Sequence, residues 1–264
     1  MRRFATLTLT IFLSCSATGA ARASSLVTLD VGTAAAWQAD CIVIGFDDVP
    51  GTLSFVPGFV VPAASQLTDQ FVQCAGVAFA STGGPIAVIG VAGTPQAGDA
   101  QSPPNIIGGT ILSGPNIVIN YLQSIHLELV NGSGAPAPSN KVGAWTDPTG
   151  SLVRLDVFDS AGQLLESAQG NQGFFIGVEH EGIASATFVF VHQQSAAGFS
   201  LDDVSIGRRA GSADLNGDGI VNGADLGLLL GAWGPCPSNC CVADVDSSGG
   251  VDGADLGLLL GAWS

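Results

Sequence analysis

Between residues 24 and 207, short apolar or alternating runs recur between turn signals: Leu26–Val31, Cys41–Phe46, Phe71–Ala80, Ile86–Val91, Ser124–Val130, Ser151–Phe158, Ser185–His192 and Phe199–Ile206. Alternation with period two sends successive side chains to opposite faces of a strand. In the run 185–192, Phe188, Phe190 and His192 share one face, and Thr187, Val189 and Val191 share the other. Asn131-Gly132 and Asp159-Ser160-Ala161-Gly162 read as hairpin turns. No long helical period interrupts these runs. The pattern predicts a mainly β domain, a two-sheet sandwich of jelly-roll type, and about 185 residues suffice to bury a sizeable core.

The period changes after residue 212. Leu226, Leu229, Leu230 and Trp233 fall at i, i+3, i+4 and i+7, and Leu256, Leu259, Leu260 and Trp263 repeat the spacing. Each set predicts one short amphipathic helix, and the two faces together would form a small core. Leu228 and Leu258 fall off these faces, beside Ala224 and Ala254, as a second apolar stripe. The chain therefore divides into 1–23, a β-sandwich domain over 24–207, a linker at 208–211 and an all-α domain over 212–264.

Residues 1–23 read as a secretory signal. Met1-Arg2-Arg3 is basic, Phe4–Leu13 is apolar, and Ala21-Arg22-Ala23 offers a small-residue cleavage site. The apolar run is too short to span a bilayer, which takes roughly 20 residues, and no later run is longer. The reading is a secreted or cell-surface protein whose mature chain starts at Ser24. That chain keeps four cations, Lys141, Arg154, Arg208 and Arg209, against 22 acids, a net charge of −18. Such a balance argues against nucleic acid and anionic membranes as partners. Five cysteines remain, in a compartment where disulfides persist. Cys41 and Cys74 are the expected pair in the sandwich, and Cys236 is expected to bridge Cys240 or Cys241. A zinc site at Cys236-x3-Cys240-Cys241 is disfavoured, because no histidine lies near.

The segment 213–233 recurs as 243–263, thirty residues later. Each copy places side-chain oxygens at positions 1, 3, 5, 9 and 12 of a twelve-residue loop, with Gly at position 6. Ca²⁺ takes 6–8 oxygen ligands, and a loop turning sharply at Gly presents them. No entering helix fits before either loop, so each unit is a loop followed by a single helix. The segment resembles a type I dockerin, whose two half EF-hand repeats carry Asp at position 12, here Asp225 and Asp255.

The resemblance implies two Ca²⁺ sites. The first comprises Asp214, Asn216, Asp218, the Ile220 carbonyl, Asn222 and Asp225. The second comprises Asp244, Asp246, Ser248, the Gly250 carbonyl, Asp252 and Asp255. It also implies a cohesin-like protein partner, contacted through positions 10 and 11 and the helix: Gly223, Ala224 and Leu228, or Gly253, Ala254 and Leu258. The Gly-Ala pairs depart from the polar pairs of cellulose-degrading complexes.

The sandwich carries a fainter signal. Asp47-Asp48 follow one strand and Asp202-Asp203 lie in the last. This loosely resembles secreted carbohydrate-binding sandwiches, whose structural Ca²⁺ sits between such strands, and it implies one further ion and a polysaccharide ligand. No catalytic set stands out. Glu179-His180-Glu181 would put two carboxylates on one strand face, about 7 Å apart, against the 5–5.5 Å of a retaining glycosidase. Trp145 is expected to plug the core. The sequence reading is a secreted, non-catalytic protein joining a carbohydrate-binding or adhesive sandwich to a calcium-dependent docking module, in the setting of extracellular polysaccharide degradation. Its rivals are a glycoside hydrolase or lyase, and a surface protein with a calcium-stabilised C-terminal cap.

Overall fold

A computed structural model describes residues 23–264 except 40, 53, 55, 92–100, 103, 132–133, 148–151, 172, 192–197, 208–212, 217–219, 237–242, 247 and 249, and the side chains of 73 and 74. The signal segment therefore lies outside the described residues, apart from Ala23.

Along the chain run β1 (Ser24–Thr28), α1 (Val31–Gln38), β2 (Cys41–Ile44), β3 (Gln66–Leu67), α2 (Val72–Ala75), β4 (Val77–Ser81), β5 (Ile86–Gly90), β6 (Asn105–Gly108), β7 (Thr110–Ser113) and β8 (Asn116–Ile119). There follow β9 (Ile125–Leu129), β10 (Ser139–Thr146), β11 (Leu152–Phe158), β12 (Leu164–Asn171), β13 (Phe175–Ile183), β14 (Ser185–Val191) and β15 (Ser200–Gly207). One sheet has the order β1-β13-β10-β15-β6-β5-β3, with β2 also on β15; the other has the order β12-β11-β14-β9-β4. The named strand pairs are antiparallel.

Alternation decides which side chains meet between the sheets. In β4 Val77 and Phe79 point inward, and in β9 Ile125, Leu127 and Leu129 do so, leaving His126 and Glu128 outside. They join Val142, Leu155, Ile176, Phe188 and Val204 in one core drawn from both sheets. The turn at 159–162 forms as its sequence predicts. Asp159 Oδ1 accepts the N–H groups of Ala161 and Gln163, both at 2.9 Å, and Gly162 takes φ +75°.

Four expectations are corrected. The run Leu26–Val31 ends as a strand at Thr28, and a helix follows that no apolar period announces. Asp30 caps it, accepting the Thr33 N–H at 2.7 Å and its hydroxyl at 2.6 Å, bonds that hold the carboxyl below its usual range. Trp37 then packs edge-on against Phe175 at 5.2 Å over a floor of glycines, since a Cβ on Gly177 would meet the Trp37 ring at 2.9 Å. Trp145 is buried as expected, but beneath this helix on the outer face of the sheet rather than between the sheets.

The run Phe71–Ala80 is a one-turn helix followed by β4, because Gly76 takes a left-handed conformation (φ +65°) and turns the chain. The Cys41–Cys74 bridge is absent. Cys41 is not disulfide-bonded, and its sulfur lies 3.9 Å from the Trp37 carbonyl. It starts β2, whereas Phe71, which leads into the turn bearing Cys74, packs against Phe46 beyond the far end of that strand (5.8 Å).

Candidate metal centre

Beyond the linker lie α3 (Gly223–Gly231), β16 (Gly234–Pro235), β17 (Gly250–Val251) and α4 (Gly253–Gly261). Each helix follows its loop directly, with no described helix before it. Asn222 and Asp252 are the N-caps, accepting the N–H of Ala224 at 2.8 Å and of Ala254 at 2.7 Å. Capping boxes tie these caps to Asp225 and Asp255, so position 12 of each loop is also position N3 of its helix.

Both position-12 carboxylates are fully buried. Asp225 Oδ1 accepts the N–H of Leu215 (2.8 Å) and of Asn216 (3.1 Å), and its Oδ2 accepts that of Asn222 (2.8 Å). Asp255 accepts from Asp246 (3.1 Å) and Asp252 (2.8 Å) in the same way. One side chain thus draws the two ends of its loop together. An ionised carboxylate has about four lone-pair sites, so these bonds leave room for a cation.

In the second loop the carboxylates of Asp244, Asp246 and Asp255 converge, with ligand atoms within 4.8 Å of one another. Ca²⁺–oxygen distances of 2.3–2.6 Å put opposing ligands about 5 Å apart, so positions 1, 3 and 12 fit that ion. Ser248, at position 5, stands beside them: its N–H donates to Asp244 Oδ1 (2.9 Å) and Asp246 Oδ1 (3.0 Å), and its hydroxyl to the Gly250 carbonyl (3.1 Å). Asp218 of the first loop lies outside the described residues, as do Cys240 and Cys241, the two expected partners of Cys236.

The helices pack differently from the expectation. Leu229 and Leu259 are fully buried and Leu226 and Leu256 partly so, with Ala213, Leu215, Val221, Ala243 and Val251 from the loops. Leu230, Trp233, Leu260 and Trp263 remain 47–53% exposed, like Leu228 and Leu258. Loop side chains fill the space that the wider leucine face was expected to fill, and nine-residue helices offer only one or two inward positions. The predicted docking residues Gly223, Ala224, Leu228, Gly253, Ala254 and Leu258 are all exposed.

In the sandwich, the β2·β15 pairing brings the two acidic doublets together, with Ile44 opposite Val204. Asp202 is buried and accepts the N–H groups of Ser102 (2.7 Å) and Asp203 (2.8 Å). Asp203 accepts the Ser102 hydroxyl at 2.5 Å. Burial, with the Asp203 charge beside it, pushes Asp202 up to about 7. Burial likewise raises Asp203, helped by the Asp47 charge, and partial desolvation raises the exposed Asp47, helped by Asp48. Phe46 (φ +61°) and Asp203 (φ +47°) flank this cluster in left-handed conformations. Asp48 is exposed at its edge. Asp202 and Asp203 thus bond to the main chain and to Ser102. Ser102 and Asn105, whose amide donates to the carbonyls of Phe46 (3.0 Å) and Val49 (3.1 Å), carry no local sequence signal. Glu179 lies 4.0 Å from the Lys141 ammonium.

No protein-family profile and no curated protein matches the chain. Among solved structures it is similar to TmCBM61 in complex with β-1,4-galactotriose (TM-score 0.32, 14% identity, 57% of this chain and 99% of that one). It is also similar to the K2 cleaved adhesin domain of Lys-gingipain (TM-score 0.34, 10% identity, 65% and 99%). A third likeness is to a glycoside hydrolase family 43 arabinoxylan arabinofuranohydrolase from Bacillus subtilis (TM-score 0.29, 15% identity, 50% of this chain), of which this chain spans 27%. Likenesses this remote carry no functional argument.

Proposed function

We propose that this is a secreted, non-catalytic protein in which a dockerin-like, calcium-dependent module docks a β-sandwich of carbohydrate-binding or adhesive type onto a larger extracellular assembly. The observation that carries the reading is the convergence of Asp244, Asp246 and Asp255 in a loop whose thirty-residue repeat has the same buried position-12 carboxylate. Asp214, Asn216, Asp218, Asn222, Asp225 and the Ile220 carbonyl would hold one ion. Asp244, Asp246, Ser248, Asp252, Asp255 and the Gly250 carbonyl would hold the other. Seven carboxylates with no Lys or Arg in this segment repel one another, and two Ca²⁺ ions offset that repulsion. The exposed leucines and tryptophans of both helices suit a protein partner of cohesin type, and open space over Gly223, Gly227 and Gly231 lets a partner approach the backbone. Export is read from residues 1–23, and a polysaccharide ligand for the sandwich from its loose family resemblance.

Calorimetric titration of the chelator-treated mature chain with Ca²⁺ tests the carrying observation. Two ions per chain are expected, and absence of uptake would remove the docking reading. A glycan array with the same protein tests the sandwich, and reducing-sugar release in a separate assay on polysaccharide would reassign it as an enzyme.

A further inference from the structure

The two repeats are tied to each other at equivalent points. Position 8 of the second loop, Val251, pairs with Gly234, the residue after Trp233. Position 8 of the first loop, Val221, bonds to Ser264, the residue after Trp263. The Ser264 N–H donates to the Val221 carbonyl at 3.1 Å, and the Val221 N–H donates to the Ser264 hydroxyl at 3.0 Å. Gly234 and Ser264 stand thirty residues apart, as do Val221 and Val251, so the two contacts are one contact repeated by the internal symmetry. At the second copy the Ser264 hydroxyl serves as the acceptor, where a ladder pair uses a main-chain carbonyl.

These contacts close a ring. The first loop leads into α3, whose exit holds the second loop. The second loop leads into α4, whose exit holds the first. Position 8 adjoins the carbonyl at position 7, Ile220 or Gly250, so each latch grips a loop beside a proposed ligand. Val221 and Val251 are both buried in the shared core, which makes each latch part of the packing.

We infer that the two loops are coupled through reciprocal latches: ordering one loop orders the other, and Ser264 is the positioning residue that completes the ring. The coupling is a property of the chain, and its expression as cooperative Ca²⁺ uptake rests on the calcium reading above.

The test compares the mature chain with Ser264→Ala, with a chain ending at Trp263, and with Gly234→Ala. Amide hydrogen exchange at Val221 and Val251 is followed without and with Ca²⁺, alongside calorimetric Ca²⁺ titration. Ser264→Ala removes both bonds of the hydroxyl, the one it accepts from the Val221 N–H and the longer one it donates to the Val221 carbonyl (3.4 Å), and should speed Val221 exchange about fivefold. Ending the chain at Trp263 also removes the Ser264 N–H bond to the Val221 carbonyl and should speed Val221 tenfold or more. It should also speed Val251, whose own partner is untouched. Gly234 sits at φ +121°, with nothing near a Cβ, so alanine there strains only the backbone. That variant should open Val251 first and Val221 with it. Two ions taken up cooperatively by the full chain, with both affinities lowered by the truncation, complete the expected result. Faster exchange confined to the loop that lost its latch would overturn the coupling, and an unchanged Val221 would overturn the latch itself. Failure of the wild-type chain to take up Ca²⁺ would sink the calcium reading, while the exchange rates would still judge the ring.

Discussion

Asn222 and Asp225 hold each other across the start of α3: the Asn222 N–H donates to Asp225 Oδ2 at 2.8 Å, and the Asn222 side chain caps the same turn. Asp225 therefore has two tasks, as loop closure and as proposed ligand. Asp225→Ala leaves the N–H groups of Leu215, Asn216 and Asn222 without their acceptor. It is expected to cost the C-terminal segment about 1–3 kcal/mol even without metal, and to reduce Ca²⁺ stoichiometry from two to one. Asp255→Ala should do the same in the second repeat. Denaturation in chelator, followed by the fluorescence of Trp233 and Trp263, separates the structural loss from the calorimetric one. Two ions retained by either variant would refute that residue as a ligand.

Leu229 and Leu259 are fully buried, whereas Leu230 and Leu260 are half exposed. Truncating a buried leucine to alanine typically costs about 2–5 kcal/mol, and exposed substitutions usually stay within about 0.5 kcal/mol. Leu229→Ala should therefore shift the tryptophan-monitored unfolding midpoint clearly, and Leu230→Ala should leave it in place. Equal effects would mean that the full leucine face packs inward after all.

Asp202 makes the sandwich sensitive to pH. Burial and the Asp203 charge raise its folded pKa from 3.8 to about 7, so the folded state favours its neutral form. That contribution is fully present below about pH 4 and is lost as pH rises through about 7, on the order of 2–4 kcal/mol. The chelator-treated protein is expected to show this slope from pH 4 to 7 in its β-sheet denaturation midpoint. Asp203→Asn removes the neighbouring charge, keeps an acceptor for Ser102 and tolerates φ +47°. It should flatten the slope and stabilise the sandwich at pH 8 by about 1 kcal/mol. A slope unchanged by this substitution would show that the Asp203 charge plays no part.

The exposed stripes of α3 and α4 are equivalent: Leu228 is 50% exposed and Leu258 47%. If either helix can dock, Leu228→Asp or Leu258→Asp alone should weaken capture of a Ca²⁺-dependent extracellular partner only slightly. The double variant should lose capture while still binding Ca²⁺. Loss of all capture in one single variant would show that the helices are not interchangeable.

The sandwich was legible where alternation was strong. Val77 and Phe79 against Ala78 and Ala80, or Phe188 against Thr187, announce which face is buried. Helix α1 was not, because Val31–Gln38 has no apolar period and depends on an Asp30 cap and on a floor of glycines from β10 and β13. The acidic doublets were visible as candidates, yet their juxtaposition with Ser102 depends on a partner a hundred residues away.

In the C-terminal repeats, sequence alone determined the single helix after each loop and the Asp at position 12 that is also N3 of that helix, because capping and loop closure act within a dozen residues. Only the tertiary structure decided which leucines are buried, since loop residues Leu215, Val221 and Val251 compete with Leu230 and Trp233 for the same small core. It also decided that Ser264 meets Val221, forty-three residues back, a contact that no local period encodes because it exists only once the two helices have packed.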